Sequence, residues 1–207
     1  MTDKNDNNDN KETNRNFKSG FVVIAGRPNA GKSTLLNCIA KMKLAIISDK
    51  PQTTRHNIMY IHDDDTSQIV FRDTPGLHSP KNKLNERMME SANRAIKDAD
   101  LILLITQANH PEISGFEKEI SIAAAKAGIP VILVLNKTDI VKKEFLLPVI
   151  RAFSSTSDFN EIFPISAKTG QGVDELLNTI KSYLPEGPRY YPEDSLTDQT
   201  EKDIAGE

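Results

Sequence analysis

Thiol chemistry is nearly absent from this chain: its 207 residues contain one cysteine, Cys38. One thiol cannot close an internal disulfide, so no disulfide framework holds the fold, and a reducing cytoplasm is the expected compartment. Long apolar runs are missing as well. None approaches the roughly 20 consecutive apolar residues of a membrane-spanning helix, and the polar N-terminus holds no apolar signal-type core. A charge excess is also lacking: 26 Lys and Arg stand against 29 Asp and Glu, a net charge of −3. That balance gives no electrostatic ground for nucleic-acid binding by this stretch alone. What is there, 38% hydrophobic and 27% charged residues, fits one soluble α/β domain with a sizeable core plus tails. A monomer is expected.

Residues 1–18 are rich in Asn, Asp and Lys, and Phe17 is their only large apolar side chain after Met1. Such a segment buries too little surface to offset its ordering entropy and is expected to be disordered. From Phe21 the pattern changes. The apolar run Phe21–Ala25 reads as a strand, and Ser33–Met42 as a helix with Leu35, Leu36 and Ile39 at helical spacing. Strands are expected at Asn57–His62 and Gln68–Arg72. Between them Asp63-Asp64-Asp65 reads as a hairpin turn rather than a metal site, because three consecutive Asp on a turn cannot all face one ion. Helices at Asn82–Lys97, Ser114–Lys126, Lys143–Ser154 and Val173–Tyr183 then alternate with strands at Leu101–Thr106, Pro130–Leu135 and Ile162–Ile165. The runs at 101–105 and 131–135 are too continuously apolar for a half-solvated sheet and suit strands covered on both faces. Alternation of this kind implies a mostly parallel sheet with helices on both sides. Ligands of such sheets bind beyond the carboxyl ends of the strands. Pro185-Glu186-Gly187-Pro188 breaks the last helix. The expected division is a tail at 1–18, a domain at 19–185 and a linker at 186–207.

Four loops that directly follow expected strands carry the chemistry. Gly26, Arg27, Pro28, Asn29, Ala30, Gly31, Lys32 and Ser33, followed by Thr34, fit G-x-x-x-x-G-K-S between a strand and a helix. Gly26 and Gly31 permit backbone angles and close approach that a side chain would block. Successive N–H groups can then wrap a phosphate, and the helix N-terminus adds its positive end. Lys32 brings a full charge to the β- and γ-phosphates, and the Ser33 hydroxyl is a hard oxygen ligand for Mg²⁺. Asn136-Lys137-Thr138-Asp139 names the base. A carboxylate accepts two hydrogen bonds from the ring N–H and exocyclic amine of guanine, whereas adenine would leave Asp139 unpaired. Asn136 is suited to tether loop and base, and the Lys137 stem to cover the ring. In Asp73-Thr74-Pro75-Gly76, Asp73 reaches Mg²⁺ through a water and the Gly76 N–H meets the γ-phosphate. Taken alone, D-T-P-G is also an ordinary turn sequence. A backbone N–H of Ser166-Ala167-Lys168 is placed to meet the guanine carbonyl.

These motifs, in this order, resemble the translation-factor-related class of small GTPases and, more closely, the Era group of bacterial ribosome-assembly GTPases. The carriers are G-R-P-N-A-G-K-S-T-L-L-N at 26–37, P-Q-T-T-R-H at 51–56, D-T-P-G-L-H at 73–78, N-K-T-D at 136–139, P-I-S-A-K-T-G at 164–170 and L-P-E-G-P-R-Y-Y-P-E-D at 184–194. The resemblance covers about residues 20–200. It implies a P-loop NTPase (Ras-like) G domain with a mostly parallel six-stranded sheet, hydrolysing GTP to GDP and phosphate in a slow intrinsic reaction. It places Thr53 and Thr54 in a first switch, with Thr54 beside Ser33 and Asp73 as Mg²⁺ ligands. It makes Asn29 the holder of a K⁺ ion, so that Lys32, Asn29, Thr54 and Gly76 form the catalytic set. Leu77 stands where Ras-like proteins have a water-orienting glutamine, and His78 reads as a surface residue. The small ribosomal subunit and its 16S rRNA are the implied partners, and the inner face of the cell membrane an implied peripheral location. Era proteins continue into an RNA-binding KH domain; this chain ends at Glu207 with no G-x-x-G loop of that type. A fragment or truncated product is therefore expected, with rRNA binding in doubt. The rival reading is a nucleotide-binding interaction module with negligible turnover.

Overall fold

The structure, a computed structural model, describes residues 17–40, 59–73, 96, 99–109, 115–155 and 158–192. Six strands form one sheet: β1 (Lys18–Gly26), β2 (Met59–Asp63), β3 (Ser67–Asp73), β4 (Leu101–Gln107), β5 (Val131–Asn136) and β6 (Glu161–Pro164). Their spatial order is β2-β3-β1-β4-β5-β6. All neighbours run parallel except β2 against β3. Among the described residues four longer α-helices accompany them: α1 (Lys32–Ala40), α2 (Gly115–Ala127), α3 (Lys143–Ser154) and α4 (Val173–Tyr183). The last two match the expected spans, and the others shift by a residue or two at their ends. The helix expected at 82–97 lies outside the described residues apart from Ile96.

The continuous apolar strands split by parity into two cores, as a sheet covered on both faces requires. Leu101, Leu103 and Ile105 of β4 join Ile132 and Val134 of β5 and the buried face of α1 and α4, including Leu35, Leu36, Leu176 and Ile180. Ile102 and Leu104, with Val131, Leu133 and Leu135, face α2 and α3 through Ile120, Ala124, Val149 and Phe153. Among the described residues no helix is long and apolar enough to cross a membrane.

Both ends of β1 depart from the simple apolar run. Its first residues pair with Ser67 and Gln68 of β3 and, on the side that β4 does not reach, with the chain leaving α4. The Ser19 N–H donates to Pro185 O (3.1 Å) and the Gly187 N–H to Phe17 O (3.0 Å). The chain then crosses to β3. Gln68, fully buried, accepts from the Tyr190 and Tyr191 amides at 2.8 and 3.0 Å and donates to Tyr191 O at 3.0 Å. Arg189 lies over the Phe17 ring, 4.4 Å from its centroid, and donates to Asp63 at 3.1 Å. Packing therefore continues past the expected boundary at 185, through Tyr191, because the buried Gln68 oxygen takes its donors from this strap, while its nitrogen is shared between Tyr191 O and Asp63.

The acidic triplet forms the turn of the β2–β3 hairpin, as its composition indicates. Asp64 Oδ1 accepts from the Thr66 and Ser67 amides, both at 2.9 Å, and its other oxygen accepts from Lys181. Burial opposes ionisation of Asp64, but the hydrogen bonds from Lys181 and Thr66 and the Lys181 charge outweigh it and hold the carboxyl well below the usual carboxylate range. A depressed folded-state value means that the ionised carboxylate stabilises the protein above the unfolded carboxyl range and that this contribution is lost as pH falls. Replacement of Asp64 by Asn is expected to cost about 1 kcal/mol at pH 7, after allowing for solvent screening of a partly exposed pair. The difference from the unaltered protein should shrink steadily between about pH 5 and pH 3, as read by urea unfolding across that range.

Candidate functional site

β1 lies between β3 and β4, so the chain direction from strand to strand reverses there, and the loop after β1 sits at the crevice where such sheets bind ligands. That loop is Arg27–Gly31. The loops that follow β5 and β6 converge on it along the same sheet edge. Asp73, which ends β3, is register-paired with Ile24 of β1 and so reaches the same edge.

Two glycines fix the loop's path by close approach. A Cβ on Gly26 would stand 2.4 Å from Ile105 O of the adjacent strand. A Cβ on Gly31, whose φ is +102°, would stand 2.1 Å from Asn136 Nδ2. Asn29 takes the left-handed conformation at φ 62°, tolerable for Asn because its short polar side chain can bond locally. The Ala30 N–H closes the turn onto Arg27 O at 3.2 Å. Lys32 is buried, with Nζ donating to Gly26 O at 2.9 Å and to Arg27 O at 3.3 Å. Its ammonium thus places a positive charge inside the loop. Ser33 and Thr34 follow in the first turn of α1, half-buried.

Asn136, 2% exposed at the end of β5, joins three loops. Its Nδ2 donates to Ala30 O at 2.8 Å and its Oδ1 accepts from the Ala167 N–H at 2.9 Å. Asn136 therefore ties the phosphate loop to the loop after β6, a different task from the tether of its own loop and the base expected from sequence. Lys137 follows at φ 65°, turning the chain so that Asp139 emerges exposed. The Ser166 hydroxyl donates to Asp139 Oδ1 at 2.7 Å and accepts from the Thr169 N–H at 3.2 Å.

This changes the reading of Ser166-Ala167-Lys168. The Ser166 N–H is spent on Gln171 O at 3.0 Å and the Ala167 N–H on Asn136, so the Lys168 N–H is the member of the three that has no partner among the described residues. Ser166 acts instead through its hydroxyl, which orients the carboxylate. Sequence reasoning missed that pairing, and it missed Gln107, whose Nε2 donates to Asn29 O at 3.2 Å. The available signal was the polar pair Thr106–Gln107 closing the apolar run of β4. Thr53, Thr54, Thr74, Pro75, Gly76, Leu77 and His78 lie outside the described residues, as does the side chain of Asp73.

The family described as 50S ribosome-binding GTPase matches residues 21–137, a span that includes the phosphate loop and the start of the 136–139 motif. The chain belongs to this GTPase family. It is 47% identical over 194 residues to GTPase Era of Syntrophus aciditrophicus, covering 92% of this chain and 62% of that protein. It thus spans about three fifths of the length of that relative. A crystal structure of Era in complex with MgGDPNP and nucleotides of 16S ribosomal RNA superposes with a TM-score of 0.78 at 39% identity, covering 89% of this chain and 63% of that one. Aquifex aeolicus Era bound to GDP·AlF4⁻ gives 0.80 at 39% identity, covering 91% and 64%. The fold is accordingly the six-stranded α/β sheet of a P-loop GTPase domain.

Asn136→Ala removes two buried hydrogen bonds and leaves Ala30 O and the Ala167 N–H unpaired. A loss of about 2–4 kcal/mol is expected, visible in the nucleotide-free protein by urea unfolding, since both partners belong to the chain itself.

Proposed function

We propose that this chain binds GTP and GDP with Mg²⁺ and hydrolyses GTP to GDP and phosphate, as a nucleotide-dependent switch of the cytoplasm. The observation that carries the reading is the tie between two loops of different specificity. One carboxamide, Asn136, holds the phosphate loop at Ala30 and the base loop at Ala167, so phosphates and base are received by one rigid unit.

Each residue then has a task. Loop amides and Lys32 take the phosphate oxygens. Asp139, set by Ser166, offers its carboxylate to the guanine ring N–H and amine, Lys137 covers the ring, and the Lys168 N–H faces the guanine carbonyl. The donor set suits Mg²⁺: the Ser33 hydroxyl has no partner among the described residues, and the sequence adds the Thr54 hydroxyl and the Asp73 carboxylate, hard oxygen donors of the kind this ion prefers. When bound, Mg²⁺ neutralises charge on the β- and γ-phosphate oxygens. Gly76 would report the γ-phosphate through its N–H, a hydrogen bond that hydrolysis breaks. Asn29 is the candidate holder of K⁺. Leu77 has no polar atom with which to orient water, so turnover is expected to be slow. The relative solved with 16S ribosomal RNA supports a role beside the small ribosomal subunit during its assembly.

Leu77 is also what favours the second reading, a nucleotide-binding module with negligible turnover. Single-turnover hydrolysis with Mg²⁺ separates the two. Phosphate release in K⁺ above the rate in Na⁺ is expected, and release no faster than the uncatalysed rate in K⁺ would remove the enzyme reading. The base assignment has its own test. Asp139→Asn should weaken GDP binding by about 100-fold, the 2–3 kcal/mol of charged hydrogen bonds left unmade, and shift preference toward xanthine nucleotides. Unchanged GDP affinity in calorimetric titration would refute it.

A further inference from the structure

We propose that Gln107, which belongs to none of the chain's nucleotide motifs, is a positioning residue for the phosphate loop. It holds the Asn29–Ala30 peptide with its carbonyl turned away from the anion. The inference rests on the reading of Arg27–Gly31 as a phosphate-binding loop.

A loop binds an anion by directing N–H groups into one concave face, and the carbonyls of the same peptides must then face elsewhere and find donors. Donors are in place for the carbonyls of Gly26, Arg27, Asn29, Ala30 and Gly31. Gly26 O and Arg27 O receive Lys32 Nζ, and Arg27 O also receives the Ala30 N–H. Ala30 O receives Asn136 Nδ2 at 2.8 Å, and Gly31 O receives the Leu35 N–H at 2.9 Å. Asn29 O receives Gln107 Nε2 at 3.2 Å. Asn29 is also the loop residue that carries a positive φ without being glycine. Rotation of the Asn29–Ala30 peptide would aim this carbonyl oxygen at the phosphates, and the Gln107 hydrogen bond, with the Ala30 N–H bond to Arg27 O, opposes it.

The placement of Gln107 follows from strand register. It ends β4 and is paired with Asn136 of β5. Two carboxamides on neighbouring strands thus grip successive carbonyls of one loop, Asn29 O and Ala30 O. Asn136 is buried and also ties the base loop, whereas Gln107 is half-buried and its amide nitrogen serves the phosphate loop.

The experiment is GDP affinity by calorimetric titration, with the unfolding midpoint of the nucleotide-free protein measured in parallel. Gln107→Leu keeps the size and loses the donor. Gln107→Glu keeps the shape but sets an acceptor against Asn29 O and adds negative charge beside the loop. At pH 7.5 we expect Kd for GDP to rise about threefold to tenfold in Gln107→Leu, one net hydrogen bond, and further in Gln107→Glu. The nucleotide-free midpoints should stay unchanged. A purely structural role would instead lower the nucleotide-free midpoint together with the affinity. Affinities within twofold of the unaltered protein for both variants, or a loss matched by equal destabilisation of the nucleotide-free protein, would overturn the proposal. Absence of GDP binding by the unaltered protein would instead overturn the nucleotide reading, and this inference with it.

Discussion

A single buried carboxamide sets the geometry on which the site depends. Asn136 is held at the end of β5 by the sheet, donates to the phosphate loop and accepts from the loop after β6. Neither of those loops has a regular hydrogen-bond ladder of its own at this edge, and this side chain is what ties one to the other. Gly31 is part of the same constraint. Any side chain there would occupy the space through which Asn136 reaches Ala30. The requirement for glycine in the phosphate loop is thus partly a requirement of the base motif more than a hundred residues away in the chain.

The sheet supplies the rigidity that this arrangement needs. Strands β4 and β5 are buried on both faces and belong to two separate cores, so their ends cannot tilt without disturbing packing on either side. Gln107 and Asn136 are register partners at those ends. Around them successive carbonyls of the phosphate loop meet donors: Asn29 O and Ala30 O the two side-chain amides, and Gly31 O the Leu35 N–H. The opposite edge of the sheet is closed differently. There Gln68, Arg189 and the tyrosine amides of the strap hold the chain against β3 and the hairpin turn. The domain leaves its last helix as a docked segment rather than a loose one.

Much of the site was legible because its residue types answer local backbone demands. Glycine at 26 and 31, lysine and serine at a helix start, and Asn–Asp after an apolar strand are each readable within a few residues. So was the Asp63–Asp65 turn, whose central Asp64 side chain bonds to the amides two and three residues on. The illegible parts are pairings between residues far apart in the chain whose own neighbourhoods say nothing of the partner. Gln107 meets Asn29 from 78 positions away, Ser166 meets Asp139 from 27, and Gln68 meets Tyr190 from 122. A glutamine at a strand end or a serine after a strand has many ordinary explanations until the sheet order is known.

The sequence by itself determined the family, the alternation of strand and helix, and the chemistry of the loops, because periodicity and motif spacing are local properties of the chain. Tertiary structure decided which of those loop atoms remain available. It directed Ser166 and Ala167 inward, left the Lys168 N–H without a partner among the described residues, set the Asp139 carboxylate by a hydroxyl, and carried the folded unit past residue 185 onto β3. The physical reason is hydrogen-bond accounting. Each buried donor and acceptor must be matched, and only the assembled sheet edge shows which partner each one has found.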